Sequence, residues 1–182
     1  MAAKYLALFR GVNLASRNRL SMKDLAGIFT TLGCRDVRTY IQSGNVVFNA
    51  SAKIAAQVQA AVSKEVQDRF GITSPIVMRT VEEMSAVLQN NPFLAQGAEE
   101  KALHVSFLAD AALPDNIAKL DPNRSEGDSF AVVGREIYFH LPNGMARTKL
   151  TSQYFDSRLK TVSTVRNWRT VQNLYILMRA AP

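Results

Sequence analysis

Cysteine is almost missing from this chain: Cys34 stands alone among 182 residues. A single thiol cannot close an internal disulfide or build a cysteine-rich metal site, and it suits a reducing compartment. Long apolar runs are missing as well. The longest, such as Tyr5 to Phe9 and Ala102 to Ala109 with His104 and Ser106 inside it, fall far short of the ~20 residues that a membrane span needs. Met1-Ala2-Ala3-Lys4 leads directly into a strand-like run with Arg10 close behind, a pattern unlike the apolar core and cleavage site of a secretory leader. The expectation is a cytoplasmic protein with no membrane partner.

Histidine is scarce, and the usual catalytic signatures are absent. His104 and His140 each lie within a strand-like pattern without a neighbouring carboxylate or cysteine, so they read as satisfied or surface histidines and no metal site is indicated. There is no Gly-x-x-x-x-Gly-Lys loop, no Gly-x-Gly-x-x-Gly fingerprint and no Gly-x-Ser-x-Gly elbow, which removes the common nucleotide-binding and hydrolase motifs. No cofactor is implied. Glu82-Glu83 and Glu99-Glu100 read as solvated faces.

What is present is enough apolar residue, 47%, to bury a core for one ordinary domain or two small ones. The net charge of +7 is unevenly spread. Residues 1–80 hold 11 basic and 4 acidic side chains, residues 81–145 hold 4 and 10, and residues 146–182 hold 7 and 1. Such a split argues against a uniformly cationic surface and concentrates any attraction for anions where basic segments gather. A solvated charge mosaic has the same composition.

Period and punctuation give the elements. Lys4 to Arg10 is strand-like, Gly11 to Arg19 a loop, and Ser21 caps a helix over 22–32 with Asp24 at the capping-box position. Gly33 suits a left-handed cap, and Val37 to Gln42 and Val46 to Asn49 form a hairpin across Ser43-Gly44-Asn45. Ser51 opens a long helix carrying Ile54, Val58, Val62 and Val66, Gly71 closes it, and a strand follows over 72–80. The order is βαββαβ. A right-handed crossover makes the first two strands parallel and leaves a gap for the return strand of the hairpin. The expected sheet is ferredoxin-like, with order 4-1-3-2 and with Arg10 and Asn13 brought near Asn45.

The same grammar returns after a helix over 81–89 and the breaker Asn91-Pro92-Phe93. A strand over 102–108, a short helix over 114–120, a hairpin of 130–133 with 136–141, a helix over 149–159 and a short strand over 160–163 precede the last helix. The expected fold class is α+β, two ferredoxin-like subdomains with antiparallel sheets. They span 1–80 and 98–182, joined by 81–97, with the C-terminal helix in the second. The likeness between halves reads as architectural, without a residue-level repeat. In the last helix Val165, Trp168, Val171, Leu174, Tyr175 and Met178 form an apolar stripe that puts Trp168 in the core. If that helix starts at Thr164, Arg166 and Asn167 occupy its first turn, where free amides favour an anion. The same residues also make an ordinary capped helix with solvated arginines. Ser43-Gly44-Asn45, likewise, is explained by turn chemistry.

Arg10-Gly11-Val12-Asn13-Leu14, the stretch from Thr39 to Phe48, Asn91-Pro92-Phe93 and the stretch from Thr164 to Val171 together resemble the bacterial family called domain of unknown function 1697, in its order and spacing over nearly the whole chain. The resemblance implies two ferredoxin-like subdomains and no established activity. The loop Ala15-Ser16-Arg17-Asn18-Arg19 departs from the glycine-plus-lysine loop of the family. The family motifs coincide with the sheet edge and helix start, so the candidate ligand-binding residues are Arg10, Asn13, Ser43, Asn45, Lys149, Arg166 and Asn167. Arginine forks match carboxylates and phosphates, and asparagine amides donate and accept. A general acid or base is missing from the set. The favoured reading is a binding protein for an acidic small molecule, phosphorylated ligand or nucleic acid. A cofactor-free enzyme on a small anionic substrate, and an interaction protein without a small ligand, are the alternatives.

Overall fold

A computed structural model describes residues 2–12 and 20–180. The first half contains β1 (Ala2–Phe9), α1 (Met22–Thr31), β2 (Arg35–Tyr40), β3 (Asn45–Ser51), α2 (Ala52–Phe70) and β4 (Ile76–Thr80). Its sheet has the order β2-β3-β1-β4 and is antiparallel throughout, with Leu8 opposite Asn45, Tyr40 opposite Asn45 and Phe9 opposite Ile76. Strand alternation sends Ala7, Phe9, Val46, Phe48 and Ala50 toward Leu25, Ile28 and Phe29 of α1 and Val58, Val62 and Val66 of α2, which form one buried core with Cys34. The helices start where their caps predict. Ser21 Oγ accepts from the Asp24 amide at 3.0 Å and donates to Asp24 Oδ2 at 2.6 Å, and Ser51 Oγ accepts from the Ile54 amide.

The second half follows α3 (Val81–Gln89) and α4 (Pro92–Ala95). It contains β5 (Leu103–Leu108), α5 (Pro114–Ile117), β6 (Ser129–Val133), β7 (Glu136–His140), α6 (Ser152–Leu159), β8 (Ser163–Asn167) and α7 (Trp168–Arg179). Its antiparallel sheet repeats the first order, β6-β7-β5-β8. Leu108, Ile137, Phe139, Tyr154, Phe155 and Leu159 lead its core. The expected α+β class and two four-stranded ferredoxin-like sheets are thus present. The chain divides into two compact units, residues 1–84 with 174–182 and residues 85–173. Their boundaries fall inside α3 and α7. No helix among the described residues is long and apolar enough to cross a membrane.

Several elements differ from the sequence reading. The last strand is Ser163–Asn167 rather than 160–163, so α7 starts at Trp168 and not at Thr164. Pairing of Thr164, Val165 and Arg166 with Phe107, Ser106 and Val105 decides this, because β-branched residues fit the ladder better than a helix turn. Lys160, at φ 58°, ends α6 instead of beginning a strand. Helix α6 starts at Ser152 rather than at 149, with Thr151 as its cap. The halves also match at the level of single bonds. Phe9 N donates to Gly44 O as Leu108 N donates to Arg135 O, both at 2.8 Å, and Arg10 N donates to Pro75 O as Ala109 N donates to Val162 O.

Candidate functional site

The exit of β1 meets the β2–β3 turn at one edge of the first sheet. Phe9 N donates to Gly44 O at 2.8 Å, Arg10 N donates to Pro75 O at 3.0 Å, and Ser74 Oγ donates to Arg10 O at 2.8 Å. The backbone of Arg10 is therefore held on both sides while its side chain remains half-buried. Gly44 lies at φ 70°, and a Cβ there would come within 2.6 Å of Phe9 Cβ, so only glycine lets the turn approach so closely. Asn45 is wholly buried, and its Nδ2 donates to Tyr40 O at 3.0 Å and to Ser43 Oγ at 2.9 Å. That amide fastens the hairpin and orients Ser43. Among the described residues Arg10, Gly11, Ile41, Gln42, Ser43 and Pro75 are exposed or half-buried at this edge, and no acidic residue occurs in 9–12, 20–21, 40–45 or 71–76. Asn13 lies outside the described residues.

The remaining candidates belong to the second unit. Arg166 sits within β8 opposite Val105 and is 9% exposed. Its Nη1 donates to Thr164 Oγ1 and to Val165 O, each at 2.8 Å. Burial pushes its pKa down to about 10, which leaves it protonated at neutral pH. Asn167 is the cap of α7, its Oδ1 accepting from the Thr170 amide at 2.8 Å. Arg166 and Asn167 therefore precede the helix rather than occupy its first turn. Lys149 is exposed on the loop before α6; its amide donates to Ser125 Oγ and its carbonyl accepts from Arg124 Nε at 3.0 Å. The structure thus brings Arg10, Ser43 and Asn45 to one edge, sets Arg166 beside Asn167, and puts Lys149 on a separate loop.

Two features escaped the sequence reading. Arg79 occupies in β4 the place that Arg166 occupies in β8: it faces Leu6 of the central strand, is 1% exposed, and donates from Nη1 to the preceding carbonyl, Met78 O, at 2.8 Å. The shared signal, arginine just before a capping Thr80 or Asn167, is only two residues long. The second feature is a cavity of about 550 Å³ in the second unit, lined among others by Phe93, Gln96, Glu99, Lys101, His140 and Pro142. The Phe93 and His140 rings lie 5.9 Å apart at 32°. Lys101 Nζ is 2.6 Å from Glu99 Oε2, so these two lining charges offset each other and the lining suits a flat ring better than a free ion. The breaker Asn91-Pro92-Phe93 was its trace in the sequence. Among the described residues no cluster of three side chains could hold a metal ion.

The family described as "Protein of unknown function (DUF1697)" matches residues 2–138. Among solved structures, a conserved bacterial protein from Streptococcus pneumoniae aligns with a TM-score of 0.73 at 21% identity, covering 99% of this chain and 100% of that one. That likeness speaks for the fold alone. No curated protein matches the chain significantly.

Proposed function

We propose, for a chain that belongs to the DUF1697 family of proteins of unknown function, that it binds an anionic ligand, a phosphorylated molecule or a nucleic acid, at the Arg10 and Ser43 edge of its first sheet. The observation that carries this reading is the distribution of charge between the compact units. The first holds 12 basic and 6 acidic side chains, a net +6, whereas the second holds 10 and 9, a net +1. Acidic groups of the first unit are engaged in ion pairs, side-chain hydrogen bonds or caps. Asp68 and Glu65 pair with Lys64 and Arg69 along α2, Asp36 accepts from Asn49, and Glu83 accepts from the Thr80 amide. A net positive potential attracts phosphates and carboxylates, and an arginine fork with a serine hydroxyl is recognition chemistry.

The test is a titration of wild type and Arg10→Ala with a single strand of about ten nucleotides and with a nucleoside monophosphate, at low and at physiological salt. Arg10→Ala should weaken binding about tenfold, roughly 1.4 kcal/mol, and affinity for the strand should fall steeply with salt. A steep slope for the strand that is absent for the mononucleotide selects nucleic acid as the ligand. Unchanged affinity in Arg10→Ala removes this edge, and a loss in His140→Ala instead moves binding to the cavity of the second unit.

A further inference from the structure

Ile41 follows the last residue of β2 with φ at 49°, in the left-handed region, and 52% of its surface is exposed. Neither property suits isoleucine. Two branches on Cβ make this conformation costly, and an exposed side chain recovers little of that cost by burial. Asparagine or glycine would hold the same turn with less strain.

The other described non-glycine residues at positive φ are Asp36 and Lys160, and each has a local reason. Lys160 ends α6, its amide bonded to Asp156 O. Asp36 lies at the irregularity of the β2–β3 pairing, where its carboxylate accepts from Asn49 Nδ2. Ile41 has no comparable role. It lies instead between Tyr40, whose carbonyl accepts from Asn45, and Gln42-Ser43, in the turn that Gly44 presses against Phe9 beside Arg10. Two peptide links put its Cα within about 7.6 Å of that of Ser43, a span that one small organic phosphate covers.

We infer that Ile41 is a ligand contact, and that the anion bound at the Arg10 and Ser43 edge carries an apolar or ring-shaped portion next to its phosphate. This rests on the anion-binding reading and narrows it from any anion to an organic phosphate, whether a free nucleotide or one residue of a strand. Arginine and serine take the phosphate, and the exposed branched side chain takes the adjoining apolar surface, which gains by leaving water. Strain held at an exposed apolar residue is the pattern expected where function, not stability, selects the side chain.

The experiment compares wild type, Arg10→Ala and Ile41→Asn by titration with inorganic phosphate, phenyl phosphate, a nucleoside monophosphate and a short single strand, alongside urea unfolding. Ile41→Asn should leave stability unchanged or raise it, keep affinity for inorganic phosphate, and lower affinity for phenyl phosphate about threefold to tenfold. The nucleotide and strand arms then tell the free from the polymeric source. If Arg10→Ala weakens every ligand while Ile41→Asn weakens none, the contact is wrong and the anion site stands. If Arg10→Ala changes nothing, the anion site itself fails. A fall in stability in Ile41→Asn would give Ile41 a structural role and overturn the inference.

Discussion

An alanine methyl at position 44 would lie 2.4 Å from Val12 Cγ2 and 2.6 Å from Phe9 Cβ, on a backbone held at φ 70°. Gly71 has a similar φ of 66° but nothing within 4 Å of a built Cβ. The pair separates conformational strain from steric exclusion. Gly71→Ala should cost about 1 kcal/mol, the left-handed term alone, whereas Gly44→Ala adds overpacking against the β1 exit and should cost about 2–4 kcal/mol. Urea unfolding at constant m-value measures both; equal losses would show that Val12 and Phe9 yield freely. That Ser43-Gly44-Asn45 is a turn was legible from residue type. The contacts that make Gly44 irreplaceable come from Phe9 and Val12, more than thirty residues away in sequence, and no local pattern reveals them.

At the scale of elements, the junctions from β4 to α3 and from β8 to α7 share one construction. A buried arginine, Arg79 or Arg166, is followed by a capping residue, and the helix starts at once. Thr80 Oγ1 accepts from the Glu83 amide at 3.2 Å while Glu83 Oε2 accepts from the Thr80 amide at 2.8 Å, a reciprocal capping box. Asn167 Oδ1 takes the corresponding bond from Thr170. Replacing Asn167 with Ala should therefore destabilise the protein by about 1 kcal/mol, and Asn167→Asp should keep most of that cap, as judged by chemical unfolding. No loss in Asn167→Ala would mean that the helix start is set by packing alone. The periodic stripe of α7 suggested a start at Thr164 because Val165 falls in phase with Trp168. Hydrogen bonding to β5 claims that residue first, and helical period alone cannot weigh an unseen partner strand.

For the whole molecule, the compact units are not continuous in sequence, since residues 174–182 belong with 1–84. Leu174 and Met178 are 0% and 2% exposed, and Lys4 Nζ donates to Ala180 O at 2.7 Å. The last turns of α7 therefore contribute to the stability of the first unit. Met178→Ala should cost about 2–4 kcal/mol through the cavity it leaves. Cys34 offers a direct readout: it is 3% exposed in the core of that unit, and burial pushes its thiol pKa up to about 11. Thiol labelling of Cys34 at neutral pH should be slow in wild type and distinctly faster in Met178→Ala. Equal labelling rates would detach the C-terminal segment from the stability of the first unit.

The sequence by itself determined the order of elements, the two antiparallel sheets, the caps at Ser21 and Ser51 and the burial of Trp168, because strand alternation, helical spacing and capping chemistry act over a few residues. It also held the arginine and turn motifs of the first edge. Only the tertiary structure decided that Arg166 lies in a strand and that Arg79 is its counterpart. The same is true of the spent amide of Asn45, the strained and exposed position of Ile41, and the gathering of Phe93 and His140 around a cavity. Each of these depends on partners distant in the chain, and solvent exclusion and cross-strand pairing act on whatever the fold brings together, regardless of sequence distance.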